Sequence, residues 1–127
     1  MAAKPDQVWS TRELRGNPHR TADKADRIER MFTSIARRYD LNNRLHSLWR
    51  DQAWRRRAVE MAGIASSDAV LDMACGTGDL TEALCDARPA SVLGVDFTQA
   101  MLDIARIKAE RRRRGEGVPT PQYHRGD

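Results

Sequence analysis

The chain has 127 residues, with 22 Lys and Arg against 18 Asp and Glu for a formal net charge of +4, three histidines and two cysteines. That length allows at most one ordinary domain, and no run of 18 apolar residues is present to form a helical membrane span. Met1-Ala2-Ala3-Lys4-Pro5-Asp6 lacks the apolar centre of a secretion signal, which predicts a cytoplasmic chain. Cys75 and Cys85 belong to no C-x-x-C pair or histidine group, so they read as reduced thiols and argue against a zinc site or a disulfide framework.

Residues 1–22 are polar, carry Pro5, Gly16 and Pro18, and are expected to form a mobile arm. A helix follows, because Ile28, Met31, Phe32, Ile35 and Ala36 recur at helical period as one apolar stripe that reads as core packing. Tyr39-Asp40 stands at its end. Residues 51–62 read as a second helix with Trp54, Ala58 and Met61 on one face and the arginines opposite. Together these segments, 23–65, make a helical cap. The excess positive charge gathers at Arg55-Arg56-Arg57 and Arg111-Arg112-Arg113-Arg114. Solvated helix ends are the first reading of both groups, anionic lipid headgroups the next, and nucleic acid the last, since no DNA or RNA module signature accompanies them.

Val70-Leu71-Asp72-Met73 then reads as a buried strand running through the small-residue turn Ala74-Cys75-Gly76-Thr77-Gly78 into a helix that opens at Asp79. A pyrophosphate at such a helix start needs bare backbone N–H groups and no nearby anion. Asp79 opposes it, and Thr81 stands where the dinucleotide fingerprint has its third glycine. A sulfonium and ammonium cofactor without phosphate, S-adenosylmethionine, suits a turn flanked by Asp72 and Asp79 better. Ser91-Val92-Leu93-Gly94-Val95 is a second strand, and Asp96 closes it 20 residues after Gly76, where a carboxylate can accept both hydroxyls of a ribose. Thr98 reads as the N-cap of a helix whose apolar face is Met101, Leu102, Ile104, Ala105 and Ala109. Gly115 to Pro121 is a loop, and Gln122-Tyr123-His124 a third strand before Gly126-Asp127.

The order strand, glycine turn, helix, strand, acid, helix resembles the class I S-adenosylmethionine-dependent methyltransferases. A narrower resemblance lies upstream. Met31-Phe32-Thr33-Ser34-Ile35-Ala36-Arg37-Arg38-Tyr39-Asp40-Leu41-Asn42-Asn43 is similar to the F-x-x-I-A-x-x-Y-D-x-x-N segment of the ubiquinone/menaquinone biosynthesis C-methyltransferases. Ala74 also stands where that family has alanine in place of the first turn glycine. The resemblance covers residues 25–127 and implies a Rossmann-like, doubly wound α/β sheet of which the first three strands are present. Residues 66–127 would be its cofactor-binding half.

The resemblance further implies S-adenosylmethionine as cofactor and methyl transfer to a ring carbon of a reduced, prenylated benzoquinone or naphthoquinone. Ala74, Gly76 and Gly78 would let the backbone approach the methionine and ribose portion, and Thr77 matches a cofactor contact. Asp72 would orient the turn and meet the cofactor ammonium, Asp96 the ribose hydroxyls, Phe97 the adenine face and Asp127 the adenine amino group. Tyr39-Asp40 would lie over the cofactor, or else fill a gap at a helix end. His46 is the one titratable candidate in the cap, and a surface position is its plainer reading.

Three parallel strands lack the neighbours that bury both faces of such a sheet. The expectations are therefore a partial methyltransferase domain, or a non-catalytic cofactor-binding fragment completed by a partner chain. Peripheral contact with a membrane, where a prenylated quinol resides, is the remaining expected partner interaction.

Overall fold

The computed structural model describes residues 24–47 and 50–126, with the backbone alone for 37–47. The expected arm at 1–22 and Asp127 lie outside the described residues, as do the side chains of Tyr39, Asp40 and His46. The elements in chain order are α1 (Lys24–Ser47), α2 (Arg50–Ala62), β1 (Ala69–Met73), α3 (Asp79–Asp86), β2 (Ser91–Asp96), α4 (Gln99–Arg111) and β3 (Gln122–Arg125). Helix α1 continues past Tyr39-Asp40, where the sequence suggested its end. The stretch from Leu41 to Ser47 has neither Gly nor Pro to stop it.

The three strands form one parallel sheet in the order β1-β2-β3. Val70 pairs with Val92 and Asp72 with Gly94, while Gly94 pairs with Tyr123 and Asp96 with Arg125. Because side chains alternate along a strand, this register puts Val70, Asp72, Val92, Gly94, Asp96 and Tyr123 on one face. Helices α3 and α4 cover that face. Leu84 and Cys85 of α3 pack with Val92, and Leu102, Ala105 and Ala109 of α4 pack with Tyr123. The other face presents Leu71 and Met73 at 57% and 59% exposure, on a strand that is also a sheet edge.

Helix α2 docks by the opposite side from the one its composition suggested. Trp54 and Met61 are 75% and 74% exposed. The helix instead turns Val59 toward Val92 and its neighbours, and Arg55 toward Asp79 of α3 at 3.4 Å. The inward face thus combines one apolar contact with an ion pair to α3 that the local pattern does not show.

The arginine group at 111–114 likewise departs from the solvated reading. Arg112 bonds Glu82 at 2.7 Å and Asp86 at 2.6 and 2.8 Å, and Arg114 bonds Glu82 at 2.7 Å. The Glu82 and Arg114 side chains are only 10% and 11% exposed. Glu82 is thus a buried charge held by two cations, so that loss of either arginine still leaves it one partner, whereas loss of Glu82 would leave the buried Arg114 guanidinium without its carboxylate. Arg111 and Arg113 are exposed as expected.

Two glycines are required by Tyr123. Gly78, at φ +81°, lies so close that a Cβ there would stand 2.4 Å from the Tyr123 hydroxyl. At Gly94 a Cβ would meet the Tyr123 ring at 2.8 Å and the Cys75 sulfur at 3.0 Å. Gly94→Ala should therefore lower stability by about 1–3 kcal/mol, as overpacked cores do. A reduced urea midpoint with an unchanged slope is the expected outcome, and an unchanged midpoint would show that the ring moves aside at no cost.

Burial, reinforced by the nearby charges of Asp72 and Asp96, pushes the Cys75 thiol from 9.0 up to about 12. Burial and Glu82 raise Cys85 to about 11. Between the unfolded and folded values the native state holds protons that the unfolded chain releases, so these thiols lower stability as pH rises above about 9. The upward shift also makes the Cys75 thiolate much rarer in the fold than in the unfolded chain. Alkylation by iodoacetamide at pH 8 should be slow at both cysteines until denaturant is added; rapid native labelling of Cys75 would contradict the raised pKa of this half-buried thiol.

Candidate functional site

The C-terminal ends of the strands converge on a cavity of about 160 Å³ lined by Phe32, Ala74, Gly76, Asp96, Phe97, Thr98 and Met101. Its floor is the β1–α3 turn. Ala74 and Gly76 both adopt left-handed backbone, at φ 57° and 56°. The turn is tied to the sheet by the Cys75 N–H, which donates to the Val95 carbonyl at 3.0 Å, and to itself by the Gly78 N–H on the Cys75 carbonyl at 3.0 Å. Open space surrounds the position a Cβ would take at Gly76.

Asp96 is the fixed charge of this cavity. It is 7% exposed, and its two oxygens accept from different turns: Oδ2 from the Gly76 N–H at 2.9 Å and Oδ1 from the Thr98 N–H at 2.8 Å. Thr98 is the N-cap of α4 by position, yet its side chain makes no capping bond. The expected N-cap position is thus correct, but the Thr98 hydroxyl does not serve it, and the Thr98 N–H is held by Asp96 in a turn. Each carboxylate oxygen has a second lone-pair direction, so Asp96 keeps capacity for two further donors.

Phe97 and Phe32 form the aromatic wall, with ring centroids 6.2 Å apart and planes at 89°. Phe32 comes from α1, which lies against α4. The sequence placed Phe32 in the core stripe, Met101 on the apolar face of α4 and Thr98 at a cap, so all three were missed as cavity residues. The F-x-x-I-A pattern around Phe32 was the available signal.

Of the other candidate residues, three support the turn and do not line the cavity. Asp72, 8% exposed, accepts from the Thr81 hydroxyl at 2.6 Å; burial and, secondarily, the Asp96 charge raise its pKa against the lowering effect of that bond. Thr77 is buried, with its Oγ1 3.4 Å from Lys108 Nζ, and Gly78 packs on Tyr123. Asp79 pairs with Lys108 and with Arg55 across the start of α3. Its carboxylate still occupies a helix N-terminus that a phosphate would need, but its charge is shared by two cations instead of facing the cavity. Among the described residues no group of His, Cys, Asp and Glu could hold a metal ion, and no helix is long and apolar enough to cross a membrane.

The cavity is smaller than the roughly 300–1,000 Å³ of a complete small-molecule site. An aromatic pair, a buried carboxylate with spare acceptor capacity and a side-chain-free turn suit the nucleoside part of a ligand whose remainder lies on the open side.

Comparison with known proteins fits this geometry. Residues 20–117 match the ubiE/COQ5 methyltransferase family. A ubiquinone/menaquinone biosynthesis C-methyltransferase of Citrifermentans bemidjiense is 48% identical over 91 residues, covering 70% of this chain and 39% of the relative. A demethylmenaquinone methyltransferase of Thermus thermophilus is 53% identical over 83 residues, covering 65% of this chain and 38% of the relative. The chain thus spans about two fifths of the length of these curated relatives. Among solved structures, an S-adenosylmethionine-dependent methyltransferase from Clostridium acetobutylicum superposes with a TM-score of 0.51 at 26% identity, over 70% of this chain and 37% of that one. The parallel sheet with its glycine turn and terminal acid is accordingly a Rossmann-like methyltransferase core, and with three quarters of its length matched, the chain belongs to the ubiE/COQ5 methyltransferase family.

Proposed function

We propose that this chain binds S-adenosylmethionine in the cavity between Phe32 and Asp96 and serves C-methylation of a prenylated quinol. The observation that carries the reading is Asp96, whose buried carboxylate is oriented by two backbone N–H groups and retains acceptor capacity for a ribose diol. Phe97 and Phe32 would enclose the adenine, and Ala74 and Gly76 would offer backbone to the methionine portion. Thr77, Asp72 and Gly78 would act on the turn from behind, and Asp127 would follow the third strand beside the adenine.

When bound, the cofactor supplies an electrophilic methyl group on sulfur, and the acceptor is a quinol ring carbon made nucleophilic by loss of a hydroxyl proton. The chain's own task is alignment and exclusion of water. Family membership and the names of the relatives, which act in ubiquinone and menaquinone biosynthesis or on demethylmenaquinone, support this acceptor class. Trp54 and Met61 stand exposed on α2, with Arg57 between them on the same side of the helix and paired with Glu60. Such a patch favours peripheral contact of a cytoplasmic protein with the membrane that holds a prenylated substrate.

One observation favours a second reading, a non-catalytic binding unit completed by another chain. Leu71 and Met73 are exposed on a free sheet edge, which offers that partner a strand to extend. Methyl transfer to a demethylated quinol by the purified chain would exclude this alternative.

Calorimetric titration tests the binding claim. S-adenosylhomocysteine should bind and NAD should not, and tighter NAD binding would sink the proposal. Asp96→Ala should weaken binding by about 2 to 4 kcal/mol, from two charge-assisted bonds at about 1.5–3 each with incomplete additivity. Asp96→Asn should lose nearly as much, because an amide would turn N–H toward either Gly76 or Thr98, both donors.

A further inference from the structure

We propose that Arg125 is a positioning residue for the cavity, a clasp that sets the aromatic wall by holding α1 and the β2–α4 turn with one guanidinium. This rests on the reading of the cavity as a nucleoside site. Arg125 Nη2 donates to both Glu29 oxygens of α1 at 2.9 Å, while Arg125 Nε donates to the Phe97 carbonyl at 3.0 Å. Glu29 lies three residues before Phe32, so it shares that residue's side of the helix. Arg125 therefore grips one residue next to Phe32 in space and the backbone of Phe97 itself, the two rings whose perpendicular spacing shapes the wall.

The Arg125–Glu29 pair joins α1 to the β3 end across 96 residues of sequence. The strand ladder fixes the guanidinium's origin, since Arg125 pairs with Asp96 in the β2–β3 register and the Gly126 N–H donates to the Asp96 carbonyl at 3.0 Å. One side of the clasp is thus anchored at the floor of the cavity. The other side is a helix that also meets this region through Phe32 on Phe97 and by packing on α4. The planar fork of arginine, which can address a carboxylate and a carbonyl at once, makes lysine a poor substitute.

The chain contains two phenylalanines, Phe32 and Phe97, and both line the cavity. Incorporation of 4-fluorophenylalanine therefore gives one fluorine resonance for each wall, assigned by Phe32→Leu. In the ligand-free chain Arg125→Gln should displace both resonances, and Glu29→Gln the Phe32 resonance. Glu29→Gln leaves the Arg125–Phe97 bond in place and serves where Arg125→Gln unfolds. S-adenosylhomocysteine affinity should fall about twofold to fivefold in each variant that keeps a cooperative thermal transition, the range of a half-exposed ion pair. The double variant should be no weaker than Arg125→Gln alone, because both changes open the same clasp. Resonances that stay in place in the variants overturn the proposal, and so does a double variant whose loss is the product of the single losses. Wild-type resonances that ignore S-adenosylhomocysteine overturn the ligand reading, and the ligand-free displacements still decide the clasp.

Discussion

The carboxylate of Asp96 is the constraint on which the rest of the site depends. It ends β2, and through Gly76 and Thr98 it fastens the turn after β1 to the turn after its own strand. Both turns are backbone-rich and would otherwise be free to shift at the open end of the sheet. Bonds from N–H to a buried carboxylate are among the stronger ones in proteins, about 1.5–3 kcal/mol each, and a donor left without its acceptor in such a place adds a desolvation penalty. The parallel register brings the anchors level. Cys75 N–H extends the ladder to Val95, and Gly126 N–H meets the Asp96 carbonyl. Three strands thus finish at one rim, which is where open α/β sheets place their ligands.

Charge elsewhere in the molecule is organised around acids of α3. Asp79 is met by Lys108 and Arg55, Glu82 by Arg112 and Arg114, and Asp86 by Arg112. These pairs join α2, α3 and the end of α4 into one layer over the sheet. Net charge and arginine runs describe solubility and steering. They give no account of this layer, because cations that stand together in sequence separate in space: Arg112 and Arg114 turn inward, while Arg111 and Arg113 face water.

Legibility in the sequence followed the range of the interaction concerned. β1, β2 and β3 were readable to within a residue or two, since short apolar runs bounded by turn residues are local signals. The glycine turn and Asp96 were readable for the same reason, and Ala74, Gly76, Asp96 and Phe97 do line one cavity. What escaped depended on partners far along the chain. The inward face of α2 meets an acid 24 residues on and an apolar cluster further along, and the need for glycine at 78 and 94 comes from Tyr123. Phe32 reaches the cavity only because α1 returns across α4. A stripe at helical period shows that a residue is inward, but not whether it meets a core or a ligand.

The covered and uncovered faces of the sheet divide the work of the domain. Asp72, Gly94, Asp96 and Tyr123 all point to the covered face or its rim, and these are the residues that shape and brace the turn. Leu71 and Met73 point the other way, and neither lines the Asp96 cavity. Burying a side chain of this size completely contributes about 1.5–3 kcal/mol, and more than half of each is still accessible. Covering that face would therefore add stability of about 1–2 kcal/mol per residue while leaving the contacts of Asp96 unchanged. The covered face thus carries both the core and the rim, and the open face is where further burial could add stability without touching the rim.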